Sequence, residues 1–144
     1  MSLEINIRGK GAVVTGAGKG IGKEICLALA RSGADIVGVS RTERDLQKLG
    51  KAINDIGRRY RYIVADLRDK NSYEQIVNES EGFLESTDIL VNNAGVSYPA
   101  EAESVTEEEW DITMDVNIKS TFFLSQAIGR GMLTRRYGRI LNVS

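Results

Sequence analysis

Thr15-Gly16-Ala17-Gly18-Lys19-Gly20-Ile21-Gly22 follows the short apolar run Ala12-Val13-Val14 and opens a longer amphipathic stretch, residues 19–32. That order, strand then glycines then helix, decides the fold. A glycine-rich strand-to-helix turn lets backbone approach a ligand closely and leaves N–H groups free at the positive end of the helix dipole, which makes an anion site. A dinucleotide pyrophosphate fits there. The spacing is not G-x-G-x-x-G, because Gly20 is followed two residues on by Gly22. Nor is it a P-loop: Gly22-Lys23 runs into Glu24 where Ser or Thr is required, and Ala17 stands where the leading glycine would. A turn that merely packs a helix on a strand would use the same glycines.

Working outward, short β-rich runs alternate with amphipathic stretches along the whole chain. The first helix is expected to bury Ile21, Ile25, Ala28 and Leu29, spaced as one helical face, and to stop at Gly33. Residues 36–40 read as a second strand, followed by a helix capped by Thr42, burying Leu46, Leu49, Ile53 and Ile56 and ending at Gly57. Residues 60–65 give a third strand, and Ser72 with Gln75 a capping box for a helix reaching about residue 84. Residues 89–91 are a fourth strand. After a looser segment, residues 97–105, Thr106 and Glu109 form a second capping box. The helix it opens is predicted to run to about residue 134 with Trp110, Met114, Asn117, Thr121, Leu124 and Ile128 near one face. Residues 139–143 form the last strand.

Strands alternating with helices require right-handed parallel crossovers and a sheet covered on both faces. The expected fold is therefore α/β, a doubly wound, Rossmann-like parallel sheet of order 3-2-1-4-5, with residues 1–144 forming one domain. The last strand would be an edge. Complete proteins usually cover an apolar edge at a chain terminus, so a chain truncated after the fifth strand is expected.

Composition excludes several classes. No histidine is present, which removes a Ser-His-Asp triad, a Cys-His dyad and imidazole metal ligands. Nineteen Lys and Arg against 20 Asp and Glu leave a formal net charge of −1, so a strongly basic nucleic-acid binder is not expected. No apolar run approaches the roughly 20 residues that cross a bilayer. The lone Cys26 has no internal disulfide partner, and residues 1–11 hold no apolar signal region, so a cytoplasmic protein is expected. The run Glu107-Glu108-Glu109 reads as the acidic first turn of a capped helix, with no metal expected.

The second strand carries the adenosine signal. Dinucleotide folds place an acid about 20 residues past the glycines for a ribose 2′-hydroxyl, or an arginine for a 2′-phosphate. Here Ser40-Arg41-Thr42 has no carboxylate, and Arg41 offers a planar, permanently charged fork, with Lys19 a second cation. NADP(H) is favoured over NAD(H). An S-adenosylmethionine site would want an acid at the same place, which counts against a methyltransferase.

Together these motifs resemble the short-chain dehydrogenase/reductase family. The Thr15-Gly16-x-x-x-Gly20-Ile21-Gly22 run is similar to its cofactor loop, and Asp66 with Leu67 to its adenine-binding position. Asn92-Asn93-Ala94-Gly95 matches its Asn-Asn-Ala-Gly signature, Asn117 sits where it carries an active-site asparagine, and residues 138–144 resemble its fifth strand. The resemblance spans essentially the whole chain. It implies cofactor contacts from Gly16, Gly18, Lys19, Gly20, Ile21, Gly22, Ser40, Arg41, Asp66, Leu67, Asn93, Ala94 and Gly95, with Asn117 supporting a water relay. It also implies reversible hydride transfer between a nicotinamide and a small carbonyl or alcohol, with a 3-oxoacyl thioester or sugar acid as candidate substrate. A homo-oligomer is implied for the full-length parent.

The family's acid–base pair is Tyr-x-x-x-Lys. Four residues after Tyr60, Tyr62, Tyr73, Tyr98 and Tyr137 stand Val64, Asp66, Val77, Ala102 and Leu141, none a lysine. The family's serine aligns one residue beyond Ser144. These residues alone are therefore expected to be inactive, as part of an oxidoreductase or, alternatively, as a non-catalytic NADP(H)-binding or oligomerisation module ending at Ser144.

Overall fold

A computed structural model describes residues 4–144; residues 1–3 of the stretch read above for a signal region lie outside the described residues. Five parallel strands, β1 (Gly11–Thr15), β2 (Asp35–Ser40), β3 (Tyr60–Val64), β4 (Ile89–Asn92) and β5 (Arg139–Asn142), form one sheet of order β3-β2-β1-β4-β5. The predicted order holds. Helices α1 (Gly20–Arg31) and α2 (Glu43–Ile56) cover one face, and α3 (Asn71–Phe83) and α5 (Ser120–Arg135) the other.

The two-residue strand period divides the core. Ala12, Val14, Ile36 and Val91 point toward α1 and α2, where Cys26, Ala30, Leu46, Leu49 and Ile53 meet them. Val13, Val37, Val39 and Leu90 point the other way, onto Tyr73, Ile76, Leu124, Ile128 and Met132. Every residue of β1 is buried, which is why its sequence reads as a continuous apolar run. Gly33 and Gly57 follow their helices with φ of 104° and 84°, a conformation that favours glycine and stops a helix.

Several local expectations change in the tertiary structure. α1 buries Gly22, Cys26, Leu27 and Ala30, while Ile21 is 65% exposed and Ala28 is exposed. The inward face is thus made by Gly22, Cys26, Leu27 and Ala30, and Ile25 and Leu29 pack at its flank. Thr42 takes the N-cap position of α2, yet its hydroxyl makes no cap bond. The Ser72–Gln75 capping box does not form: α3 starts at Asn71, whose N–H donates to the Asp69 carboxylate at 2.9 Å. The Ser72 hydroxyl donates to the Asp69 carbonyl instead.

The predicted long helix exists in three parts: α4 (Glu107–Met114), a wide π turn (Asp115–Lys119) and α5. Its capping box is present, with the Thr106 hydroxyl accepting from Glu109 N–H and the Glu109 carboxylate accepting from Thr106 N–H. The extra residue in the π turn rotates the preceding turns by about 100° relative to an unbroken helix. Leu124 and Ile128 are therefore buried as expected, whereas Trp110 is 60% exposed and Met114 37%. Ile118, Phe122, Leu133 and the β5 residues Ile140 and Leu141 are exposed as well.

Opposite the glycine loop, at the N-terminal ends of the strands, ion pairs and hydrogen bonds organise the chain. Asp35 holds Arg58 at 2.6 Å and Arg59 at 2.9 Å. Burial alone would raise its carboxyl, but hydrogen bonds and charge from the two arginines outweigh this and hold it below the ordinary range.

Candidate functional site

In a doubly wound sheet, ligands bind beyond the carboxyl ends of the strands where the winding reverses, here between β1 and β4. A cavity of about 280 Å³ opens at that place. Of the residues singled out from the sequence, Gly16, Gly18, Lys19, Ser40, Arg41, Asp66, Leu67, Asn93, Ala94 and Gly95 line it. Gly20, Ile21, Gly22 and Asn117 do not; Gly20 and Asn117 adjoin it in the chain through Lys19 and Val116.

The loop after β1 is shaped by its glycines. Gly16 and Gly20 have φ of 62° and 56°, in the left-handed region where side chains are strained. A Cβ on Gly22 would collide with the Gly16 carbonyl oxygen, so this glycine sets how tightly α1 folds back on the loop. A Cβ on Gly20 would meet nothing within 4 Å, leaving bare backbone open to the outside. α1 begins with no side-chain cap and no acidic residue in its first turn. Its first N–H groups and the positive end of its dipole are left available to an anion.

Thr15 and Asn93 tie this loop to the segment after β4. The Thr15 hydroxyl accepts from Asn93 N–H and Ala94 N–H, each at 3.0 Å. In the other direction the Asn93 side-chain amide donates to the carbonyls of Thr15 and Gly16, each at 3.2 Å. Asn93 thus holds the glycine loop in place.

At the end of β2, Ser40 accepts from Thr42 N–H at 3.1 Å, which turns the chain into α2 and leaves Arg41 exposed at the cavity rim. Among the described residues, neither Arg41 nor Lys19 has an ion-pair partner. Asp66 is different. Its carboxylate accepts from the Arg68 guanidinium at 2.7 Å and from Arg68 N–H at 3.0 Å. The Arg68 hydrogen bonds, chiefly, hold it below the usual carboxylate range, so it is an anion already partnered on one side.

Asn117 lies in the π turn. Its side-chain oxygen accepts from Val96 N–H at 2.8 Å and its amide donates to the Val96 carbonyl at 2.9 Å, a two-point clamp between the turn and the segment after β4. The Ser120 and Thr121 hydroxyls donate to the carbonyls of Val116 and Asn117 at 2.6 and 3.1 Å, satisfying groups that the wide turn loosens. π turns inside α-helices occur frequently at functional sites.

Sequence reasoning missed Thr15, Val39, Thr42, Asp45, Ala65, Val96 and Val116. All but Thr15 line the cavity. Thr15 carried a faint signal as a hydroxyl ending an apolar strand. The Ser120-Thr121 pair in mid-helix likewise marks the π turn.

The bare glycine backbone, the uncapped α1 and the two unpaired cations fit a dinucleotide with its phosphates at the loop. The fold is Rossmann-like, with its site at the switch point. Comparison with known proteins agrees. The short chain dehydrogenase family profile matches residues 10–144. The chain belongs to that family. It is 39% identical over 141 residues to the 2-dehydro-3-deoxy-D-gluconate 5-dehydrogenase of Bacillus subtilis, covering 96% of this chain and 54% of the relative. Against the 3-oxoacyl-[acyl-carrier-protein] reductase FabG of Vibrio cholerae the figures are 37% over 139 residues, 96% and 56%. A solved Beutenbergia cavernae structure, provisionally described as an NAD(P)-dependent gluconate 5-dehydrogenase with NADP bound at low occupancy, superposes with a TM-score of 0.90 at 35% identity. It covers 98% of this chain and 56% of that one. A metagenomic short-chain oxidoreductase in complex with NADP superposes at 0.91 and 30% identity, covering 96% and 63%. The chain spans about half the length of the curated relatives it matches.

Proposed function

We propose that residues 1–144 form the cofactor-binding portion of an NADP(H)-dependent oxidoreductase that interconverts a small carbonyl and its alcohol. The observation that carries this reading is that Lys19, at the uncapped start of α1, and Arg41 line one cavity, neither of them ion-paired among the described residues. The nicotinamide, when bound, supplies or takes the hydride. Gly16, Gly18, Lys19, Gly20, Ile21 and Gly22 shape and present the phosphate cradle. Arg41, with Lys19, neutralises a 2′-phosphate, and Ser40 fixes the turn that places Arg41. Asp66 and Leu67 flank the adenine. Asn93, Ala94 and Gly95 wall the opposite end, where Asn117 is a positioning residue for the segment at Val96.

The relatives' names point to a sugar acid or a 3-oxoacyl thioester as the substrate class. No Tyr-x-x-x-Lys occurs in residues 1–144, so these residues by themselves are proposed to bind cofactor without turnover. A cytoplasmic location and a homo-oligomer built on the exposed apolar residues of α4 and α5 complete the proposal. No helix of the described residues is long and apolar enough to cross a membrane.

Fluorescence titration with NADPH and NADH tests the reading. The chain is expected to bind NADPH more tightly, and Arg41→Ala to weaken NADPH by about tenfold or more, the size of a lost charge-assisted contact, with little change for NADH. Equal weakening of both would remove Arg41 from phosphate recognition. A chain that binds neither would overturn the cofactor reading.

A further inference from the structure

The end of β2 lacks a carboxylate in sequence, yet the fold brings one to the cavity beside it, in addition to Asp66. Asp45, in the first turn of α2, lines the same cavity as Lys19 and Arg41. Its side chain lies beneath the glycine loop: a Cβ on Gly18 would sit 2.9 Å from the Asp45 Cβ, so only glycine at position 18 leaves Asp45 its place. Among the described residues its carboxylate has no ion pair. The other acids nearby are engaged. Glu43, in the same first turn, accepts from the Tyr62 hydroxyl at 2.9 Å, and Asp66 is held by Arg68. Asp45 is thus the uncompensated anion at this corner of the cavity.

We infer that Asp45 is a specificity-determining residue that restrains the preference for a 2′-phosphorylated dinucleotide over its 2′-hydroxyl counterpart. This rests on the cofactor reading above. A 2′-phosphate carries nearly two negative charges at neutral pH, so a fixed carboxylate in the corner opposes it while Lys19 and Arg41 attract it. A 2′-hydroxyl is neutral and able to donate a hydrogen bond, so it meets no such opposition. The corner therefore balances two cations against one anion. That balance makes the site less selective than Arg41 alone would.

The test is the NADPH-to-NADH affinity ratio, measured by titration of the full chain and of Asp45→Asn, with 2′,5′-ADP and AMP as probes of the adenosine end alone. Asp45→Asn is expected to raise the ratio about tenfold, the order of a carboxylate's repulsion of a near-dianion in the same solvated corner. Affinity for 2′,5′-ADP should rise by a similar factor and that for AMP should not. Asp45→Glu, which keeps the charge, should leave the ratio near that of the wild type. Asp45→Ser removes the charge with a small side chain and should reproduce the rise, which keeps the test open if Asn perturbs folding. A ratio unchanged within about twofold, or equal shifts for both dinucleotides, overturns the role of Asp45 while leaving the cofactor reading in place. Failure of the wild-type chain to bind either dinucleotide overturns both.

Discussion

Replacing Thr15 with Val tests the clamp between the glycine loop and the segment after β4. The side chain is 1% exposed, and valine fills nearly the same space, so the change removes an acceptor without opening a cavity. Two part-buried N–H groups, those of Asn93 and Ala94, lose their 3.0 Å partner. An unsatisfied buried donor costs about 1–3 kcal/mol, and partial exposure places each of these near the lower end. Their sum is about 2–3 kcal/mol, offset by up to ~1 kcal/mol for burying a methyl in place of the hydroxyl. A net loss of about 2 kcal/mol corresponds to roughly 8 °C in Tm for a chain of this size. Thr15→Ser keeps the acceptor and loses only a methyl, which costs about 1 kcal/mol. Urea unfolding followed by circular dichroism should therefore rank wild type above Ser and Ser above Val. A valine variant as stable as the serine variant would refute the clamp, showing that Thr15 acts through packing. The same variant should bind NADPH more weakly, because the loop is then held to β4 only by the Asn93 amide.

Other outcomes follow from the ionised and buried groups. Asp35, held below its ordinary value of 3.8 in the folded chain, contributes stability that is present above that value and is lost as pH falls through the lower folded one. Asp35→Asn should therefore be destabilised near neutrality and show a flatter acid limb in unfolding free energy against pH; parallel limbs would remove Asp35 from acid unfolding. Burial pushes the Cys26 thiol up to about 12, so it should resist a thiol reagent in the native chain and react on unfolding. Rapid native labelling at pH 8 would contradict the closed packing of α1 on the sheet.

Much of the fold was legible because local chemistry and global topology agree. Glycines at 33 and 57, the Thr106–Glu109 box and the alternation of strand and helix periods each state a boundary that the tertiary structure keeps. The site was legible wherever its residues lie at strand tips, as Gly16, Arg41, Asp66 and Asn93 do. It was less legible where a residue reaches the cavity from a helix. Asp45 belongs by sequence to an ordinary acidic first turn, and only the approach of α2 to the glycine loop makes it part of the wall.

By itself, the sequence determined the element order, the parallel sheet and the place of the glycine loop between β1 and α1. These depend on hydrophobic periodicity and glycine conformation, which act over a few residues. Tertiary structure alone decided which face α1 buries, where the long helix widens into a π turn, and that Thr15 and Asn93 lock two strand ends together. Those outcomes depend on how closely elements distant in the chain approach one another. The distance of approach is set by the packing of the whole sheet against its helices, and no short window of sequence contains it.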